Sequence, residues 1–135
     1  MTAGYSGAPL VKKLGIKPGF RVRFVNPPKG YDKTLGRLPV EVTVASTTRG
    51  TFDFIQIFAD KQAELGRRLP ALNKAIAKDG MLWLCWPKKA SGVATDLSDG
   101  AVRQLGLSTG LVDIKTCAVD ETWSGLKFVY RTKDR

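Results

Sequence analysis

Two almost unbroken apolar runs, Phe52-Asp53-Phe54-Ile55-Gln56-Ile57-Phe58-Ala59 and Met81-Leu82-Trp83-Leu84-Cys85-Trp86, constrain the fold more than any other feature of this chain. A strand with one wet face alternates apolar and polar residues. These runs do not, so both of their faces must be covered, as in the centre of a parallel sheet. The segment 60–78 between them places Ala63, Leu65, Leu69, Leu72, Ala75 and Ile76 at roughly helical spacing. Asp60 is its expected N-cap, Pro70 a point of kinking and Asp79-Gly80 its stop. Strand, helix and strand in this order form a right-handed βαβ unit.

The flanking segments extend that unit. Pro9-Leu10-Val11-Lys12-Lys13-Leu14-Gly15 reads as a short helix, with proline in its first turn and glycine past its end. Phe20 to Asn26 alternates and then runs apolar into Pro27-Pro28, which predicts a strand with an extended exit. Tyr31 to Leu35 has room for one helical turn. Val40-Glu41-Val42-Thr43-Val44-Ala45 is β-branched and alternating, a strand expected near a sheet edge. After the second apolar run, Thr95 or Asp96 can cap a helix reaching about Leu107, and Leu111 to Val119 is a further strand. Asp120 to Gly125 is a turn. Leu126 to Arg131 then returns antiparallel, because the link is too short for a parallel crossover.

A chain of 135 residues, 43% hydrophobic and 25% charged, fits one α/β domain over 1–135. No run of eighteen apolar residues occurs, and Met1 to Gly7 lacks the layout of a secretion signal, so a cytoplasmic protein without membrane partners is expected. There is no histidine, which removes imidazole bases and the usual zinc sites. Cys85 and Cys117 sit in apolar runs and read as buried small hydrophobes rather than a bridge or metal site. The net charge of +10 attracts phosphate-bearing partners or simply aids solubility. Its excess is N-terminal, carried by Lys12, Lys13, Lys17, Arg21, Arg23, Lys29, Lys33 and Arg37. These residues are spread out rather than clustered or interleaved with aromatics, which disfavours a nucleic-acid partner.

The element order, closing with strand, helix, strand and antiparallel hairpin partner, resembles the C-terminal half of a class I methyltransferase sheet. Phe52-Asp53-Phe54-Ile55 and Lys78-Asp79-Gly80-Met81-Leu82-Trp83-Leu84 carry that likeness. Three strings also resemble an uncharacterised bacterial family, a domain of unknown function: Ser6-Gly7 followed by Pro9-Leu10 and Lys12 to Gly19; Trp86 to Lys89 with Ser91 to Leu97; and Ala118 to Leu126. The resemblance implies a three-layer, Rossmann-like, mostly parallel sheet of about six strands with a C-terminal antiparallel hairpin strand. It implies no established activity. Methyltransferases of this fold have a glycine-rich turn after the first strand and an acid ending the second. Here those positions read Asn26-Pro27-Pro28-Lys29-Gly30-Tyr31 and Ala45-Ser46-Thr47-Thr48-Arg49. Two prolines remove N–H donors, so S-adenosylmethionine is not expected in its usual pose, and no cofactor is expected.

In open α/β sheets the ligand crevice lies beyond the carboxyl ends of the strands. That geometry selects Asn26, Tyr31, Trp86, Lys88, Lys89, Ser91, Gly92, Asp120, Glu121 and Trp123 as candidate ligand-binding residues. Lys88, Lys89, Ser91 and Gly92 could hold an anion; alternatively the lysines pair with Asp120 and Glu121 while Thr95 and Asp96 cap a helix. Trp86 and Trp123 form either an aromatic wall or plain packing, and Trp83 reads as core. Tyr31 either covers the crevice or is an ordinary surface residue. No catalytic constellation or metal site is visible. The reading that follows is a non-catalytic module binding a small anionic ligand or a protein partner. The alternatives are an S-adenosylmethionine-dependent methyltransferase with atypical cofactor binding, and a basic nucleic-acid-associated protein.

Overall fold

Residues 9–135 are described, in a computed structural model. Met1 to Ala8, with the Ser6-Gly7 of the first family-like string, lies outside the described residues. The elements run α1 (Leu10–Leu14), β1 (Arg21–Val25), α2 (Tyr31–Leu35), β2 (Thr43–Val44), β3 (Phe52–Phe58), α3 (Gln62–Ala75), β4 (Ile76–Pro87), α4 (Asp99–Leu107), β5 (Val112–Ala118) and β6 (Trp123–Val129), with short 3-10 turns at Lys89–Ser91 and Thr132–Asp134. The six strands form one sheet in the order β2-β1-β3-β4-β6-β5. β1 to β4 pair in parallel, β6 runs antiparallel to both β4 and β5, and the Rossmann-like α/β expectation is met.

The two apolar runs occupy the middle of the sheet because each needs cover on both sides. On one face Leu65, Leu69, Leu72 and Val102 from α3 and α4 pack on Ile55, Ile57, Leu82, Leu84 and Phe128. On the other, Leu10, Val11 and Leu14 of α1 with Tyr31 and Leu35 of α2 cover Val22, Phe54, Phe58, Trp83 and Cys85. Each large side chain buried in these layers contributes about 1.5–3 kcal/mol relative to exposure. Trp83, fully buried, also donates its Nε1–H to the Leu14 carbonyl at 2.9 Å, which ties α1 to β4.

Five local expectations change. α3 starts after Lys61 rather than at Asp60, and its first free N–H, that of Gln62, is capped by Asp96 Oδ1 from the β4–α4 loop at 2.8 Å. The helix passes through Pro70 and ends at Ala75, because Ile76 is extended and already pairs with Phe52. Asp79-Gly80 is therefore an irregularity inside a twelve-residue strand and not a helix stop. Glycine is required there: a Cβ on Gly80 would stand 2.9 Å from the Asp53 carbonyl oxygen. The expected strand over 40–45 shrinks to Thr43–Val44, since Glu41 adopts a left-handed φ of 61° that breaks the extended run. α4 starts later than expected, with Ser98 as N-cap, its side chain accepting from the Ala101 N–H at 3.2 Å. β6 starts earlier, at Trp123, where the sequence reads a turn up to Gly125.

Gly106 of α4 lies directly over the Phe128 ring; a Cβ there would sit 2.1 Å from the ring tip. Helix propensity alone favours Gly106→Ala by about 0.5–1 kcal/mol. The clash with a fully buried ring outweighs it, so urea denaturation of G106A is expected to show a net loss of about 1–3 kcal/mol. A stabilised variant would contradict this packing.

Candidate functional site

β1 leaves its neighbours in opposite directions, with β2 on one side and β3 on the other. That reversal makes β1/β3 the switch point of the sheet, the place beyond whose carboxyl ends open α/β sheets bind their ligands. The residues at these exits are Asn26 at the end of β1 and Asp60, Lys61 and Glu64 after β3. Asn26 takes a left-handed φ of 53°, turning the chain away from the sheet before Pro27 and Pro28. Its side-chain N–H donates to Glu64 Oε1 at 3.0 Å, linking the two loops across the crevice.

The rest of the edge is joined loop to loop. Thr95 Oγ1 donates to the Asp60 carbonyl at 2.6 Å, and the Gln62 side-chain amide donates to the Asp96 carbonyl at 2.7 Å. Lys88 donates twice to the β5–β6 hairpin, through its N–H to the Thr122 carbonyl and through Nζ to the Asp120 carbonyl, both at 2.7 Å. Asp120 Oδ1 in turn accepts the N–H groups of Thr122 and Trp123 at 2.8 and 2.7 Å, an Asx turn that shapes the hairpin. The exits of β1, β3 and β4 and the hairpin thus form one cross-braced rim.

The ten sequence-selected residues divide accordingly. Asn26, Lys88 and Asp120 hold the rim together. Ser91 Oγ donates to the Lys88 carbonyl at 2.7 Å and accepts from the Val93 N–H, and Gly92, at φ 78°, closes that 3-10 turn. Lys89 and Glu121 are exposed. The alternative pairing of the lysines with the carboxylates of Asp120 and Glu121 does not form; the Lys88 ammonium bonds the Asp120 backbone carbonyl instead. Among the described residues the ion pairs are those of Arg103 with Asp99 and Asp113. Trp86 is 6% exposed and packs in the α3/α4 layer, and it also floors a cavity of about 690 Å3 with Pro87, Lys89, Thr95, Asp96 and Asp99. Trp123 stands edge-on to Phe58, with centroids 5.2 Å apart.

Tyr31 is not an ordinary surface residue, and it lines an apolar slot beside the β1 exit. It is 4% exposed, its ring edge-on to Phe24 and Phe58, and its hydroxyl donates to Gln56 Oε1 at 2.7 Å. Gln56, the buried polar residue of the core, passes its own N–H to Cys85 Sγ at 3.3 Å. Burial pushes the Tyr31 hydroxyl well above its ordinary value and the Cys85 thiol from 9.0 up to about 12. Cys117 is also raised by burial, and both cysteines are free and buried, as their apolar surroundings in the sequence suggest. No group of metal-ligating side chains occurs among the described residues.

The sequence reading missed a second concavity, an apolar slot of about 320 Å3 beside the β1 exit. Phe24, Pro27, Pro28, Leu35, Leu38 and Val44 line it, with Asp32 the one carboxylate in the lining. Its lining comes from β1, the Pro-Pro turn, α2 and β2, and no periodicity in the sequence joins those segments. Glu64, inside the first turn of α3, likewise has no sequence signal that marks it for the crevice.

No family model matches the chain, and no curated protein is similar to it in sequence. Solved structures are similar in fold. A methyltransferase dependent on S-adenosylmethionine from Aquifex aeolicus superimposes with a TM-score of 0.61 at 16% identity, over 88% of this chain and 86% of that one. A ribosomal protein L11 methylase from Lactobacillus delbrueckii gives 0.60 at 13% identity over 90% and 75%. Magnesium protoporphyrin IX methyltransferase from Synechocystis, with S-adenosylmethionine bound, gives 0.58 at 12% identity over 90% and 74%. The fold is therefore that of the class I methyltransferases. The expectation of a non-catalytic module without cofactor is corrected accordingly: the neighbours are methyltransferases, and structures of the Synechocystis enzyme hold S-adenosylmethionine or S-adenosylhomocysteine. That expectation gave two prolines in one turn more weight than the order of the whole sheet.

Two predictions follow from the buried polar chain. Tyr31→Phe leaves Gln56 Oε1 buried without its donor, at a cost of about 1–3 kcal/mol, whereas Tyr31→Phe combined with Gln56→Met removes both partners and recovers most of that loss. Chemical denaturation of both variants separates this from simple loss of a hydroxyl, for which the two would be equally destabilised. The raised Cys85 thiol stabilises the fold fully below pH 9, where the unfolded thiol is still protonated, and that stability is lost as the pH rises toward 12. Unfolding free energy measured between pH 8 and 10.5 is expected to fall, and Cys85→Ala to flatten the decline by about 2 kcal/mol.

Proposed function

We propose that this chain is a methyltransferase dependent on S-adenosylmethionine, with the cofactor held at the β1/β3 switch point by side chains in place of a glycine-rich turn. The observation that carries this reading is the strand order β2-β1-β3-β4-β6-β5 with β6 antiparallel, which puts a crevice at the β1 and β3 exits.

The donor set suits the cofactor in kind while departing from the usual arrangement. Pro27 and Pro28 leave Lys29 and Gly30 as the backbone donors before Tyr31, whose own N–H is taken by the Pro28 carbonyl at 3.0 Å. The carboxylates of Asp60 and Glu64 complement an ammonium and a sulfonium, and Lys61 complements a carboxylate. The apolar slot accepts a flat heterocycle, with Asp32 available to a ribose diol in the role the missing acid after β2 would play. When bound, the cofactor supplies an electrophilic methyl group to an acceptor nucleophile. The protein's own share is to orient the acceptor beside the crevice and to exclude water, and the rim bonded through Asn26, Glu64, Thr95 and Lys88 is rigid enough for both.

Thermal shift and calorimetry with S-adenosylmethionine and S-adenosylhomocysteine test this directly. Binding to the native state raises the melting temperature in proportion to the logarithm of ligand concentration. Asp32→Asn is expected to weaken binding about tenfold without lowering stability, the loss of one charge-assisted hydrogen bond. Val44→Trp, which fills the slot from an exposed position, is expected to abolish it. Absence of any shift with either compound at millimolar concentration overturns the reading.

A further inference from the structure

The fold gathers lysines that are far apart in the sequence. Lys12 and Lys13 lie on α1, Lys17 in the turn after it, Lys115 on β5 and Lys127 on β6. Lys115 and Lys127 are cross-strand partners, and Lys115 Nζ donates to the Lys13 carbonyl at 3.1 Å. By strand alternation Lys127 shares the α1 side of β6 with Trp123 and Val129. Its ammonium surfaces beside the end of α1, where a Cβ on Gly15 would lie 3.6 Å from Nζ. Partial burial there, with Lys115 and Lys17 close by, holds the Lys127 ammonium below its ordinary value. The Lys127 ammonium has no hydrogen-bond or ion-pair partner among the described residues.

The acids on the same elements point elsewhere. Asp113 bonds Arg103 of α4 across the sheet edge, and Asp120 is occupied by the hairpin amides. Like charges brought together and partly desolvated raise the free energy of the folded chain, and an anion at the same place reverses that effect. The lysines come from a helix, a turn and two strands, and none of them lines the slot or the 690 Å3 cavity. They form a surface rather than a pocket, which suits several phosphates in a row better than one enclosed anion. Among the described residues no aromatic is an exposed large apolar residue, so they offer charge without a base-stacking platform.

We propose that the corner formed by α1, Lys17, β5 and β6 is a docking surface for the phosphate backbone of a nucleic acid, bound without sequence preference. This inference does not depend on cofactor binding, and its test uses no methyl donor. Fluorescence anisotropy on labelled duplexes of about 20 base pairs, DNA and RNA, and on a single strand, measured across salt concentrations, reads the contacts as a slope of about 0.9 per phosphate neutralised on duplex DNA. K17Q/K115Q/K127Q is expected to lower that slope by about 2–3 and to weaken binding about tenfold or more near physiological salt. K33Q/K74Q/K133Q removes the same charge from exposed positions elsewhere and is expected to change binding several-fold less. Melting curves check the fold, and if the triple variant does not fold, K17Q/K115Q is compared with K33Q/K133Q in its place. Equal loss in both sets assigns any binding to net charge and overturns the proposal. So does absence of binding to all three polymers, or stabilisation by inorganic phosphate alone.

Discussion

Everything in this molecule depends on β3 and β4 being apolar on both faces. A pair of strands with no wet side cannot stand at a sheet edge or beneath a single layer, so the chain must supply helices above and below and flanking strands on each side. α3, which joins the two, covers one face by the handedness of the crossover. α1 and α2 cover the other with short helices that could not persist alone, since five-residue helices are stabilised by the apolar side chains they bury and not by propensity. Gln56 is the one polar residue admitted to this layer, and Tyr31 and Cys85 satisfy both ends of its amide.

The switch point is a consequence of the same requirement. With β4 and then the β5–β6 hairpin extending the sheet on one side, β1 covers the remaining edge of β3, and β2 can only add beyond it. The loops leaving β1 and β3 therefore part at the carboxyl edge. What is unusual is how that edge is kept in shape. Asp96 caps a helix that it neither begins nor belongs to, Asn26 reaches across to Glu64, and Lys88 bonds two carbonyls of a hairpin. Side chains that a reader of the sequence would assign to ligands or to salt bridges serve as cross-braces between loops.

The sequence revealed the two layers and the antiparallel hairpin because they rest on local signals: unbroken apolar runs, 3.6-residue spacing, and a link too short for a crossover. Boundaries were lost where tertiary contacts override those signals. Ile76 leaves the helix because Phe52 offers it a strand partner, and Val40 leaves the strand because Glu41 turns left-handed. The candidate site was legible as an edge but not as a constellation. Lys88 and Asp120 stand side by side, but bonded ammonium to carbonyl rather than as an ion pair. Tyr31 follows Pro27-Pro28 and the sequence leaves it open between a cover for the crevice and a surface residue; the turn at Asn26 and Gly30 folds it inward on to Gln56. The apolar slot, built from four separate segments, has no sequence signature.

The same comparison bears on charge. Read along the chain, the lysines look dispersed, and dispersal argues against a polyanion surface. Sequence distance is the wrong measure, because β5 and β6 return the C-terminal third of the chain to α1 and set Lys115 and Lys127 beside Lys13 and Lys17. Asp32, Asp60, Glu64, Asp96, Asp120 and Glu121 meanwhile collect on the carboxyl-edge loops and around α2 and the start of α3. The carboxyl-edge loops thus mix these acids with Lys61, Lys88 and Lys89, whereas the α1/β5/β6 corner brings Lys17, Lys115 and Lys127 together with no acid bonded to them among the described residues. A phosphate backbone would be drawn to the corner, where like charges stand together, rather than to the crevice edge, where acids and lysines alternate.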